Sequence, residues 1–262
     1  MNAQRLFDGE HLRADLFNPD AKRLFVSLRQ RIAEPGAFDT AKPVQKFVRA
    51  GYAHLHLQSR LNDWFVNDET EALEQVLTGV GAGYADTCAF GFSMGGYGAL
   101  RFARALMLRR VVLISAQVSI DPGVVPWDRR YRDCAGGFDR ALGDLAQHGH
   151  AGLGGVILFD PFRPLDRRNA AMITALHPGL RQCRLPAGGH PATRVLREGG
   201  NFAALQEALR DDALSLPSIL RLHKDARRDS PIYWRHLAAQ AAKRGHKPLE
   251  RQANARLATL QG

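Results

Sequence analysis

Six short apolar runs, separated by longer stretches of helical spacing, constrain this chain more than any other feature. The runs are RLFVSL (23–28), YAHLHLQ (52–58), ADTCAFGF (85–92), RVVLISA (110–116), GGVILFD (154–160) and LRQCRLP (180–186). Short, nearly continuous apolar runs of this kind fit strands buried on both faces. Helical spacing fills 41–50, 68–79, 94–107, 138–148 and 164–176. Asn67 or Asp68 is placed to cap the second of these, with acidic residues following where the helix dipole favours them. Strand and helix in alternation predict a mostly parallel sheet with helices on both faces, a three-layer α/β/α sandwich.

A chain of 262 residues fits one main domain with a small appendage. Hydrophobic residues make up 45% and charged residues 24%, the balance of a soluble globular protein with a substantial core. Asp8, Glu10 and Asp15 interrupt the N-terminal stretch, so neither a secretory signal nor a membrane anchor is expected there. No stretch approaches the roughly 18 apolar residues of a membrane span. Cys88, Cys134 and Cys183 are odd in number and far apart, which predicts neither a disulfide framework nor a zinc site. A cytoplasmic, reducing setting is the expectation.

The formal charge of +10 is unevenly spread. Residues 213–262 hold ten Lys/Arg against three Asp/Glu, whereas residues 1–212 hold 26 against 23. The strand pattern also stops near 212, so the chain divides into a main domain (1–212) and a basic helical appendage (213–262). Trp234, Leu237 and Ala241, a turn at Gly245, then Leu249, Ala253 and Leu257 predict a helical hairpin packed on the main domain. Such a basic surface suits an acidic protein partner better than nucleic acid.

One connection is out of proportion. Residues 116–137, AQVSIDPGVVPWDRRYRDCAGG, show no clear period and mix Trp, Tyr, Arg and Asp. Loops of that length are usually functional or disordered, and this one reads as a lid over the sheet edge.

Between the third run and the third helix stands Gly91-Phe92-Ser93-Met94-Gly95, a match to G-x-S-x-G. The pattern needs a strand before it and a helix after it, and both are predicted here. The two glycines remove side chains that would collide in a tight strand-to-helix turn, and the turn lifts the Ser93 hydroxyl clear of the sheet. It also points the helix N-terminus and the Met94 N–H at charge developing on an attacked carbonyl.

With these residues the chain resembles the α/β-hydrolase superfamily over 23–211, and SMGGYGAL resembles the elbow of its small esterases. The resemblance implies a Ser-His-acid triad in the chain order Ser, Asp, His. Asp160, ending GGVILFD, and His190, in LPAGGHPATR after the last strand, take the implied positions. Asp166 in the following helix and Asp121 in SIDP are the alternatives for the acid, and His177 is the alternative for the histidine. His190 would act as general base toward Ser93, held in tautomer and orientation by the carboxylate. A second oxyanion donor is implied after the first core strand, at the backbone N–H of Arg29 or Gln30, although the HGGG-type loop of the superfamily is absent.

This chemistry needs no cofactor, and its partner would be a small ester. Gln117, Trp127, Arg129 and Arg130 of the lid, together with Trp64 of NDWF, are candidates for the pocket wall. Their mix of aromatic and cationic groups favours a polar or anionic substrate such as an acylated sugar. An acyltransferase using the same residues, or a binding module that has kept the fold, are the competing functions. His54 and His56 share a strand face, but the segment continues Leu57-Gln58-Ser59 without further ligands, so burial is expected and a metal is not.

Overall fold

A computed structural model of the chain describes residues 3–261. Eight strands form one sheet in the order β1-β2-β4-β3-β5-β6-β7-β8. They are β1 (Gln4–Asp8), β2 (Leu12–Phe17), β3 (Arg23–Leu28), β4 (Tyr52–Ser59), β5 (Asp86–Phe92), β6 (Arg110–Ile114), β7 (Gly154–Phe159) and β8 (Leu180–Arg184). The strands from β3 to β8 lie parallel to one another, and they coincide with the six apolar runs.

The sequence pattern does not show β1 and β2, an antiparallel pair added to the edge through β4. Their charged residues break up the apolar signal. Asp15, buried on β2, is met by Arg5 at 2.5 Å, and the turn between the strands is held by Glu69, which accepts the N–H groups of Glu10, His11 and Leu12. Pairing to an existing sheet therefore replaces apolar alternation as the source of strand structure.

Side chains alternate across the parallel strands, dividing the core in two. Leu24, Val26, Ala89, Val111, Leu113 and Ile157 face one layer. That layer contains α2 (Thr70–Ala82), α3 (Met94–Arg101) and α5 (Pro164–Leu176), which contribute Leu73, Leu77, Leu100 and Ile173. Phe25, Cys88, Phe90, Val112, Ile114, Val156 and Leu158 face the other. There α1 (Gln45–Val48), α6 (Arg194–Glu198) and α7 (Phe202–Arg210) bring Phe47, Val195, Leu196 and Leu205.

Two predicted helices are much reduced. The stretch 138–148 yields only α4 (Leu145–His148), because Asp139 accepts from the N–H groups of Ala141 and Leu142 and so builds turns instead. The stretch 41–50 yields only α1, after Pro43. At α2 neither Asn67 nor Asp68 is the cap: the N-cap is Glu69, which makes no side-chain cap hydrogen bond, and Asn67 accepts the Glu69 N–H at 2.9 Å in the turn before it.

After residue 212 come α8 (Leu216–Ala226), α9 (Pro231–Lys243) and α10 (Lys247–Gln261), with Gly245 at φ +68° turning the last two into a hairpin. Ile219, Ala226 and Tyr233 join the second core layer, whereas α10 buries only Ala253. No helix among the described residues is long and apolar enough to cross a membrane.

Candidate active site

The Ser93 turn is built by the close approach of two elements. Ser93 lies between β5 and α3 with φ +47° and ψ −118°, a conformation that side-chain-bearing residues seldom adopt. The surroundings hold it there: its N–H donates to the Ile114 carbonyl at 2.9 Å, and its carbonyl accepts from Gly96 and Tyr97. A Cβ at position 91 would stand 2.5 Å from the Gly96 Cα, and one at position 95 would stand 2.6 Å from the Leu28 carbonyl oxygen. Only glycine lets α3 sit this close to β5 and to the end of β3.

Ser93 Oγ lies 3.3 Å from His190 Nε2, and His190 Nδ1 lies 2.8 Å from Asp166 Oδ2. The expected serine and histidine are therefore brought together, and the carboxylate behind them is Asp166 rather than Asp160. Asp160 ends β7 close by, but both of its oxygens are taken by backbone. Oδ1 accepts from Phe162 and Ala187, and Oδ2 accepts from Gly189 at 2.9 Å. Six residues later, the first turn of α5 carries Asp166 to the imidazole. Asp121 caps its own turn by accepting from Gly123 and Val124, and His177 is buried at the far end of α5.

The two aspartates differ electrostatically. Burial raises the Asp160 carboxyl above its ordinary range despite the three N–H groups it accepts. Burial acts in the same direction on Asp166, but the hydrogen bonds from His190 and Arg130 and the positive charge of Arg130 outweigh it and hold this carboxyl low. Arg130 donates to Asp166 Oδ1 at 2.6 Å and to Asp128 at 2.7 Å, and Asn169 donates to Asp128 in turn. The 116–137 segment is thereby tied to the carboxylate behind the histidine.

Gln117 makes the other contact to the serine. Its NH2 donates to the Ser115 carbonyl at 2.8 Å and its Oε1 accepts from Trp64 Nε1 at 3.2 Å, so the amide has one orientation. That oxygen also accepts from Ser93 Oγ at 3.2 Å, so the single hydroxyl proton has two acceptors, Gln117 and His190. Tyr131, missed in the sequence, packs against Trp64 with ring centroids 4.7 Å apart and planes tilted by 51°, and burial raises the phenol's pKa. Its position in a long loop without period gave no sign of this.

Several expected wall and oxyanion residues lie elsewhere. The Arg29 N–H donates to the Leu57 carbonyl and its guanidinium to Ala37, Ser59 and Asp39, so its backbone N–H is not free to meet an oxyanion. The N–H groups of Met94, at the start of α3, and of Gln30 remain without acceptors among the described residues. The Trp127 ring faces the Arg168 guanidinium at 4.3 Å, and Arg129 is exposed. His54 and His56 both hydrogen-bond Ser27 Oγ, at 2.7 and 2.8 Å, and burial with the neighbouring His56 lowers the His54 pKa to about 3.

The loop carrying His190 is gripped from two sides. Asp160 holds its N–H groups from within, and the appendage holds its carbonyls from outside. His223 of α8 donates to the Pro186 oxygen at 3.0 Å, and His236 of α9 to the Ala187 oxygen at 3.0 Å.

No protein-family model matches the chain, and no curated protein matches its sequence. Among solved structures it is similar to the capsule O-acetyltransferase of Neisseria meningitidis serogroup A in complex with CoA. The TM-score is 0.52 at 10% identity, over 70% of this chain and 86% of that one. It is also similar to Est1E from Butyrivibrio proteoclasticus (TM-score 0.49, 12% identity, 79% and 98% covered). A third is XC6422 from Xanthomonas campestris, described as a member of the a/b serine hydrolases without a lid (TM-score 0.46, 16% identity, 80% and 92% covered). Its sheet order, the strained turn at Ser93 and the likeness at TM-score 0.52 give this chain an α/β-hydrolase fold.

Proposed function

We propose that this protein is a serine esterase acting on a small polar ester through an acyl-enzyme. The reading rests on the hydrogen-bonded chain Ser93–His190–Asp166, 3.3 and 2.8 Å long. With its Nδ1–H donated to Asp166, His190 presents a bare Nε2 toward Ser93, the tautomer a general base needs. Ser93 Oγ attacks the carbonyl as His190 takes its proton, Asp166 stabilises the imidazolium, and the oxyanion forms beside the Met94 N–H, with Gln30 as the second donor. A fluorophosphonate probe should label the wild type and not Ser93→Ala; equal labelling of both would overturn the assignment.

Acyl transfer is the second reading, favoured by the likeness to a capsule O-acetyltransferase in complex with CoA. The acyl-enzyme is common to both readings, and the acceptor decides between them. Product analysis with an added alcohol separates them: transfer gives a new ester at the expense of free acid.

A further inference from the structure

Beside the site lies a cavity of about 250 Å³ lined by Arg130, Tyr131, Arg163, Pro164, Leu165 and His190. That is space for roughly eight water molecules, or a small polar group of similar volume. Two arginines line it, but they differ in availability. Arg130 already directs Nε, Nη1 and Nη2 at Asp128 and Asp166. Arg163 makes no ion pair or side-chain hydrogen bond among the described residues, and its charge reaches the buried Asp160 only at longer range. The cavity therefore offers one uncommitted guanidinium.

The direction of catalysis says which half of an ester would enter it. In acylation the Ser93 Oγ–acyl bond forms and the acyl–alcohol C–O bond breaks. The Ser93 proton passes through His190 Nε2 to the departing alcohol oxygen. In hydrolysis water then adds to the acyl carbon, one of its protons returns through His190 to Ser93 Oγ, and the free acid leaves. The alcohol oxygen must thus lie against His190, while the carbonyl oxygen points to the Met94 N–H. The space that His190 shares with Arg163 belongs to the alcohol.

Building on the esterase reading, we infer that the alcohol half of the substrate carries an anionic oxygen group, phosphate or carboxylate, which Arg163 binds. An arginine fork suits both, and the Arg163 side chain has its donors free to form one.

Two measurements test this. The first is kcat/KM for 2-acetoxyethyl phosphate, 3-acetoxypropanoate and the neutral 2-acetoxyethanol, read by acetate release. The second is binding of the product alcohols 2-hydroxyethyl phosphate and 3-hydroxypropanoate, by calorimetry. Wild type should prefer at least one anionic ester over the neutral one. In Arg163→Gln that preference, and the affinity for the matching anionic alcohol, should fall about ten- to hundredfold, the worth of a hydrogen bond to a charged group. Arg163→Lys should recover part of both, and the phosphate and carboxylate arms identify which anion is held. An ester preference unmoved by Arg163→Gln, or anionic alcohols that bind neither protein or bind both equally, would overturn the inference. Arg163-dependent binding without turnover of any ester would uphold the anion site and count against the esterase reading alone.

Discussion

Arg130 donates from Nη1 to Oδ1 of Asp166 at 2.6 Å, so a residue of the long 116–137 segment fixes the carboxylate that faces the histidine. The same carboxylate uses its second oxygen for His190, and its side chain is fully buried. Arg130→Met should therefore weaken catalysis without touching the reacting atoms, lowering kcat about ten- to hundredfold. It should also shift acid sensitivity. The Asp166 carboxyl is held below its ordinary value of 3.8, so its stabilising contribution is complete above that pH and is lost as pH falls through the lowered value. Without Arg130 the folded value should lie closer to 3.8, so the stability lost on acidification should be smaller and end at a higher pH, read from urea melts between pH 2 and 7.

Asp160 and Asp166 should separate cleanly on mutation. Asp166→Asn replaces the acceptor of the imidazole N–H and should lower kcat by about 10³- to 10⁴-fold with the fold intact, as for a triad acid. Asp160→Asn keeps one acceptor oxygen but turns an NH2 toward an N–H of the 187–189 segment. It should cost about 1–3 kcal/mol of stability, with a much smaller loss of kcat. Thermal melts alongside steady-state kinetics distinguish the two patterns, and equal kinetic losses would refute the assignment of the acid.

His236 should affect the site from the appendage. Its Nδ1 holds the Ala187 carbonyl three residues before His190, and its ring occupies the space a Cβ on Gly189 would need. His236→Ala should lower kcat by about three- to tenfold at nearly constant KM, and His236→Asn, which can place an amide N–H near the Nδ1 position, should recover much of it. An unchanged kcat in the alanine variant would show that the loop is held without α9.

Ser93→Gly should abolish activity yet stabilise the protein. Ser93 is held at φ +47°, where glycine is unstrained, and the relief should be worth about 1 kcal/mol. Ser93→Ala keeps the strain and loses the hydrogen bonds, so it should melt below the glycine variant. Differential scanning calorimetry of the two gives the comparison.

Most of the parallel strands were legible because they are buried on both faces and largely apolar; β8, at the sheet edge, exposes Arg181 and Arg184 and buries only Leu180 and Cys183. The edge pair β1–β2 was not legible, since it is held by Arg5–Asp15 and by Glu69, groups whose sequence neighbours say nothing about their partners. Ser93 and His190 were legible for a similar reason: a glycine-bounded strand-to-helix turn and the loop after the last strand are local features.

What the sequence determined alone is thus whatever local backbone chemistry dictates: the strand and helix alternation, the serine turn and the loop bearing the histidine. The choice of Asp166 over Asp160 was decided only in three dimensions. Both stand just beyond β7, but the backbone amides of Phe162, Ala187 and Gly189 capture one of them, while Arg130, 36 residues away along the chain, and His190 meet the other. Which carboxylate is free to orient an imidazole depends on hydrogen bonds between segments far apart in sequence, and those exist only once the chain has packed.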